Sequence, residues 1–416
     1  MTALWPALLP PSRHGDDDLC LRGASGVRLS FLDGSERLCA TSGLWNVNLG
    51  YGNEAIAKAV GEATRDASYL GVFRWENDRA REAADLLCEA AGSDHFGKVL
   101  FSTSGGAAND LVMKLVRHHH ALRGDTRRRL VVGLRDSYHG LMFGSAALTA
   151  DDLGQQLYGV DRRLVRHVPP NDVASLARLL EREGAQVAAV VVEPVLGTGA
   201  LPLTSEYVDA LVRLRDEHGF LLVADEVATG FGRTGDYFAS QTWPGRPDVM
   251  VTSKGLTNGT CAAAAVLVSH EVADVFAGAD AVVGHAETQA GTATTAAAII
   301  ATIEQMAGLD AVERGRGVAR LLDARLDRLV ADEAAVQAHT GRGCFRAVTV
   351  ADAEGRAISG TDVADLVTAI RHAGAVVHPG PHGFQLIPAL VYTEAEVDEL
   401  FGCVRAGLAA FTGGER

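Results

Sequence analysis

Seven short apolar runs, spaced by helix-forming stretches, constrain this chain more than any other feature. They are KVLFS (98–102), RLVVGL (129–134), LVRHV (164–168), VAAVVVEPV (187–195), FLLVADEV (220–227), VMVTS (249–253) and AAAVLVS (263–269). Near-continuous apolar runs of this length read as strands buried on both faces. The amphipathic segments 107–122, 172–184 and 205–219 have the apolar spacing of helices. The third has a cap signal at Ser205 and a stop at Gly219. This alternation predicts βαβ units and a mostly parallel seven-stranded sheet, hence an α/β fold.

Beyond about residue 290 the pattern changes. Two long helical runs are followed by CFRAVTV, a helix near DVADLVTAIRHAG, the short AVVHPG, FQLIPAL and a final helix from about Glu394. Strands and helices in this order predict a smaller α+β domain. At the other end, GVRLSFLDGSERLCATSG has hairpin character around Asp33-Gly34 and is expected to join that domain. The expected organisation is an N-terminal segment over 1–45, a large domain over 46–295 and a small domain over 296–416.

Composition narrows the function classes. A net charge of −14 repels phosphate backbones, so no nucleic-acid partner is expected. The six cysteines are scattered without pairing rhythm or C-x-x-C, as in a protein of a reducing compartment, and no metal site is expected. The first residues lack a basic leader, and no apolar run reaches membrane length, so a cytoplasmic protein without a membrane partner is expected. Only four of the 38 basic residues are lysines: Lys58, Lys98, Lys114 and Lys254. Chemistry that needs an amine has few candidates.

In an open parallel sheet, ligands bind beyond the carboxyl ends of the strands. Thr103-Ser104-Gly105-Gly106 follows the first run and opens a helix. Asp136-Ser137-Tyr138-His139-Gly140 follows the second. Glu193-Pro194 ends the fourth, Asp225 and Glu226 lie at the end of the fifth, and Lys254 follows the sixth. A helix N-terminus with free amides is an anion site, although Ser104 could equally be a plain helix cap. A desolvated lysine loses its proton easily and can form a Schiff base, although Lys254 could instead snorkel to water. His118, His119 and His120 read as a solvated helix end, since their consecutive spacing does not suit a metal. Gly230-Phe231-Gly232-Arg233-Thr234-Gly235 spells the dinucleotide fingerprint, but no helix opens there, so a Rossmann site is not expected.

A phosphate cradle, an acid for a ring nitrogen, an aromatic face and an amine are what pyridoxal phosphate requires. From VVVEPV through FLLVADEVATGFGRTG to TSKGLTNG, the chain resembles the class III (ω-type) aminotransferases, pyridoxal-phosphate enzymes of fold type I. FSTSGGAAND resembles that family's phosphate loop, DSYHG its ring-stacking motif and ETQAGT the loop that reaches the partner subunit's cofactor. SGLWNVNLGYG resembles the branch acting on amines and ω-amino acids.

The resemblance implies a homodimer with its active sites at the subunit interface. It implies that Lys254 is the Schiff-base lysine, that Asp225 pairs with the pyridinium nitrogen and that Tyr138 stacks on the ring. Ser104, Gly105 and Gly106 would hold the phosphate, with Thr288 arriving from the second subunit. His139, Glu193 and Val227 would complete the cofactor contacts, with Glu226 in support. Trp45, Arg74, Arg233 and Gln385 would line the substrate pocket, and an arginine there could grip a carboxylate.

The chain also departs from the family. Gly106 and Ala107 stand where Ser or Thr and then Glu are usual, Glu287 where His is common, and Gln385 where a carboxylate-binding arginine often stands. Gln cannot reproduce a bidentate charged grip. The reading is an aminotransferase acting between an amine or amino acid and a ketone or aldehyde that lacks an α-carboxylate, such as the carbonyl end of a peptide. An aminomutase or racemase, and a non-catalytic scaffold, stay open on the sequence.

Overall fold

The computed structural model describes residues 2–413. The seven apolar runs form one sheet: β1 (Phe96–Ser102), β2 (Leu130–Leu134), β3 (Val165–Val168), β4 (Val187–Val192), β5 (Leu221–Asp225), β6 (Val249–Thr252) and β7 (Ala264–Ser269). The strand order is β1-β7-β6-β5-β4-β2-β3, and β7 runs antiparallel to both its neighbours while the other pairings are parallel. The expected α/β class and mostly parallel seven-stranded sheet are therefore observed.

Helices cover both faces, which explains why these strands are apolar throughout rather than alternating. Leu111, Val112 and Leu115 of helix Gly105–Leu122 pack on one face against Val131, Val191 and Val223. Leu176 and Leu180 of helix Val173–Glu183 pack on the other, with Leu211 and Leu214 of helix Ser205–His218, against Val190 and Leu222.

Two boundaries differ from expectation for local reasons. β4 stops at Val192 because Pro194 has no N–H for the ladder and Glu193 turns its carboxylate to bind loop amides. The helix after Leu203 is capped by Thr204, whose Oγ1 accepts from Tyr207 N at 3.2 Å, one residue earlier than the Ser205 signal; Gly219 closes it in the left-handed conformation at φ 69°.

Asp33-Gly34 does turn a hairpin between Arg28–Phe31 and Glu36–Cys39. Glu36–Cys39 also pairs in parallel with Ala375–Val376, in the register Leu38 to Ala375, so the two ends of the chain share a sheet. A second four-stranded sheet, wholly antiparallel, contains Val336–Arg342, Phe345–Val350, Gly383–Leu386 and His378–Gly380. Helices Ala293–Gly308, Ala311–Asp332 and Glu394–Gly413 belong to this part of the chain. No single helix among the described residues is long and apolar enough to cross a membrane.

Candidate active site

The carboxyl ends of β1, β2, β4, β5 and β6 deliver their polar residues to one edge, as the spacing predicts. Asp225, the last residue of β5, is buried and fully engaged. Its Oδ2 accepts from His139 Nδ1 at 2.7 Å and from Asn109 Nδ2 at 2.8 Å, and its Oδ1 accepts from Val227 N at 3.1 Å. A buried carboxylate requires such partners. His139 is itself buried; desolvation opposes its charging, but the bond to Asp225 prevails and raises its pKa. Asn109 was not singled out by the sequence. It lies one turn into helix Gly105–Leu122, on the face turned to the sheet, and its amide also donates to the His139 carbonyl at 3.0 Å.

Glu193 clamps two loops. Its Oε2 accepts from Tyr138 N and its Oε1 from Gly197 N, each at 3.0 Å. Burial pushes its pKa up to about 7. The Tyr138 ring beyond this clamp is 41% exposed at the sheet edge, free to meet a ligand. Glu226, by contrast, turns away. Its carboxylate accepts from Ser240 N at 2.6 Å and from the Thr229 hydroxyl, so it braces the following loop and not the site, contrary to expectation.

Ser104 does cap helix Gly105–Leu122: its Oγ accepts from Ala107 N at 3.2 Å. The amides of Gly105 and Gly106, ahead of that bond, find no acceptor among the described residues. A side chain at Gly105 would press on Val227, whose methyls lie 3.1 Å from the position of a Cβ. Two open amides at the positive end of an 18-residue helix form an anion cradle. Glu287 holds the neighbouring loop to the end of β1: it accepts from Ser102 Oγ at 2.5 Å, Thr103 N at 3.1 Å and the Thr103 hydroxyl. Partial burial works against its charge, but these hydrogen bonds keep its pKa below the usual carboxylate value.

Lys254 begins a short turn after β6 with φ 46°, a left-handed conformation uncommon for a side-chain-bearing residue and typical of functional sites. The residue is partly buried. Desolvation lowers its pKa to about 8, against the pull of Glu193 and Asp225. Its Nζ lies 4.3 Å from the centroid of the Trp45 ring. Trp45 ends a turn, Ser42–Trp45, in which Ser42, Gly43 and Trp45 all have positive φ. Its indole also meets Phe345 at 5.1 Å and His378 at 5.0 Å between ring centroids. His378 was not anticipated.

One expectation for the substrate pocket needs correction, and two others gain detail. Arg233 is fully buried, not a movable grip on the wall. Its guanidinium donates to Ser42 Oγ at 3.2 Å, Asn48 Oδ1 at 2.6 Å, and the carbonyls of Cys344 and Pro388, tying the N-terminal turn to the C-terminal part. Arg74 is exposed and lines a groove of about 1130 Å³ between residues 72–101 and 285–290, a groove that does not include Lys254 or Asp225. Gln385 is buried, and its Nε2 donates to Gly197 O at 2.8 Å, so its donor bridges the two parts of the chain. Thr288 is exposed, its carbonyl accepting from Tyr69 OH at 2.9 Å.

His119 and His120 are buried, not a solvated helix end. His120 Nε2 bonds Ala188 O at 2.9 Å, and burial pushes His119 down to about 4. They pack under the sheet because the helix's apolar face widens there.

An anion cradle, a fixed carboxylate at a distance from it, an exposed aromatic ring and an amine of lowered pKa suit a phosphorylated pyridine aldehyde. The comparisons agree. The model of the family Aminotransferase class-III matches residues 12–407. The chain is 31% identical over 405 residues to the uncharacterized aminotransferase y4uB of Sinorhizobium fredii, covering 90% of this chain and 86% of that one. It is 30% identical over 341 residues to an omega-aminotransferase of Caulobacter vibrioides, covering 76% and 77%. In fold it is similar to a PLP-bound amine transaminase from an uncultivated Pseudomonas species, with a TM-score of 0.91, 24% identity and 99% of each chain covered. The chain belongs to the class III aminotransferases, the pyridoxal-phosphate-dependent transaminases of this fold.

Proposed function

We propose that this aminotransferase moves an amino group from an amino acid or amine to an aldehyde or ketone that carries no carboxylate beside the reacting carbon. Such an acceptor suits a biosynthetic step on a small molecule or on the carbonyl end of a peptide. The observation that carries the reading is that no guanidinium of the described residues stands free beside Lys254 to grip a carboxylate. Gln385 stands where a guanidinium would carry charge and donates to Gly197 O, and Arg233 is enclosed.

Pyridoxal phosphate, when bound, supplies the electron sink. The chain's own residues then have distinct tasks. The open amides of Gly105 and Gly106, with Ser104, hold the phosphate. Asp225, fixed by His139 and Asn109, would keep the ring nitrogen protonated, Tyr138 and Val227 would contact the ring, and Glu193 sets the Tyr138 loop. The Lys254 amine, with a pKa near 8, takes and returns the proton at the amino-bearing carbon. A second copy of the chain would cover the exposed Tyr69, Leu70, Phe73 and Trp75 and bring Thr288 and Arg74 towards the other active site; the apolar character of that face supports a homodimer. We group 1–45 with 296–416 as the small domain around a large domain over 46–295; the pairing of Leu38 with Ala375 supports this. The six free cysteines suit a cytoplasmic enzyme.

The test is a panel of donors and acceptors followed by the absorbance of the loaded enzyme in each half-reaction. Transfer to at least one carbonyl lacking an α-carboxylate is the expected result. Turnover restricted to α-carboxylate substrates in both half-reactions overturns the reading.

A further inference from the structure

His378 packs on the Trp45 ring beside Lys254. It opens the strand His378–Gly380 and stands directly across from Gln385 in the antiparallel pairing with Gly383–Leu386. Its imidazole meets the Trp45 indole at 5.0 Å and 76° between planes. The same indole carries Lys254 Nζ on its ring at 4.3 Å. The imidazole and the reacting amine are thus neighbours across one side chain. His378 is partly buried, yet neither ring nitrogen is hydrogen-bonded to any described residue. Burial first, and the nearby Lys254 charge second, push its pKa down to about 4, so at neutral pH it offers one N–H and one bare nitrogen.

The ring nitrogens of His378 are not fully buried, and a ligand that displaces their water must replace its hydrogen bonds. A carboxylate is a poor one: it needs charge-assisted or bidentate donors, and a neutral imidazole supplies a single N–H. A hydrocarbon is also poor, because it would desolvate both nitrogens without replacing their hydrogen bonds. A hydroxyl or an amide can donate and accept, and matches the imidazole.

We propose that His378 is a specificity-determining residue that hydrogen-bonds an uncharged polar substituent, a hydroxyl or an amide, on the substrate carbon next to the amino-bearing one. This rests on the carboxylate-free reading above and names the substrate class within it.

The test uses the full-length loaded enzyme and three amines of one shape: 2-amino-2-methyl-1-propanol, 2-methylbutan-2-amine and 2-aminoisobutyrate. They carry no hydrogen on the amino-bearing carbon, so they bind without passing a proton to Lys254, and the absorbance change reports Kd. The alcohol is expected to bind about tenfold more tightly than either analogue. His378→Phe, which keeps a ring against Trp45, is expected to abolish the preference over the hydrocarbon; His378→Asn, which keeps a donor and an acceptor, is expected to retain part of it.

The reacting pair alaninol and sec-butylamine, followed as half-reactions, separates the two readings. Transfer from both with no preference for alaninol, or a preference unmoved in His378→Phe, overturns the role of His378 alone. No transfer from either, with alanine reacting, overturns the carboxylate-free reading and this inference together.

Discussion

The two walls of the cleft are built on opposite plans. On the sheet side, Asp225, His139, Asn109 and Glu193 are buried and hydrogen-bonded to one another or to loop amides. On the other side, Trp45, His378 and Gln385, from the two ends of the chain, present no charge. The difference separates two jobs. Moving a proton and holding a charged ring require dipoles fixed before the substrate arrives. Choosing a substrate requires only that the wrong one be left with unpaired groups. Substitutions on the two sides therefore differ in size as well as kind.

The largest effect is expected at the amine. On the roles proposed above, Lys254→Ala would remove both the covalent anchor and the proton carrier, and turnover is expected to fall on the order of 10⁵-fold. Steady-state assays against the best donor measure it, and borohydride reduction with peptide mapping should label Lys254 and none of Lys58, Lys98 or Lys114. Label elsewhere breaks the comparison at its base. Next, Asp225→Ala is expected to bind the cofactor but lose about 10³-fold in kcat, because the ring nitrogen loses its counter-charge in a dry site. Near-normal kcat in this variant would mean that the sheet wall is scaffolding.

A third prediction joins the walls. Arg233→Gln strips donors from Asn48, Ser42 and the Pro388 carbonyl, and is expected to cost about 3 kcal/mol in urea unfolding. A loss below about 1 kcal/mol would show that the walls meet without it.

The smallest effect is a pH midpoint. Burial disfavours the Lys254 ammonium, so the free amine should appear through about pH 8. In the cofactor-free protein, cyanate should modify Lys254 about tenfold faster per pH unit up to that value and then level off. In the unfolded chain this lysine has the ordinary value of about 10.4. The linkage has a definite sign. Below pH 8 the buried charge opposes folding by a constant amount. Between pH 8 and about 10.4 the unfolded chain holds a proton that the folded chain has released, so this group's contribution to stability rises with pH.

What could be read in advance follows the same division. The sheet wall was legible because each apolar run marks a strand and the polar residue ending it stands out, as Asp225 does after LLVA and Lys254 after VMVTS. Asn109 escaped because a single polar residue in a helix gives no sign of which face meets the sheet. His378 and the fate of Gln385 escaped for a stronger reason. Their surroundings are made by Trp45 and Gly197, residues hundreds and scores of positions away, and local spacing carries nothing about such contacts. Arg233 misled because a glycine-rich stretch reads as an open loop; here Gly343 instead lets the chain pass against the backbone of Arg233 and Thr234, where a Cβ would lie 2.6 Å from Arg233 O. The two histidines of the triplet that proved buried, His119 and His120, show the same limit.

Arg233 also bears on the order of synthesis. Its acceptors belong to residues 42, 48, 344 and 388, which lie on either side of it along the chain. A nascent chain that has made Arg233 has the first two within reach, but the others emerge more than a hundred residues later. Until Pro388 leaves the ribosome, burying the guanidinium would leave a charge short of acceptors, so this joint is expected to close late. The large sheet can assemble as it is made, whereas the amine's surroundings are completed only near the end of translation.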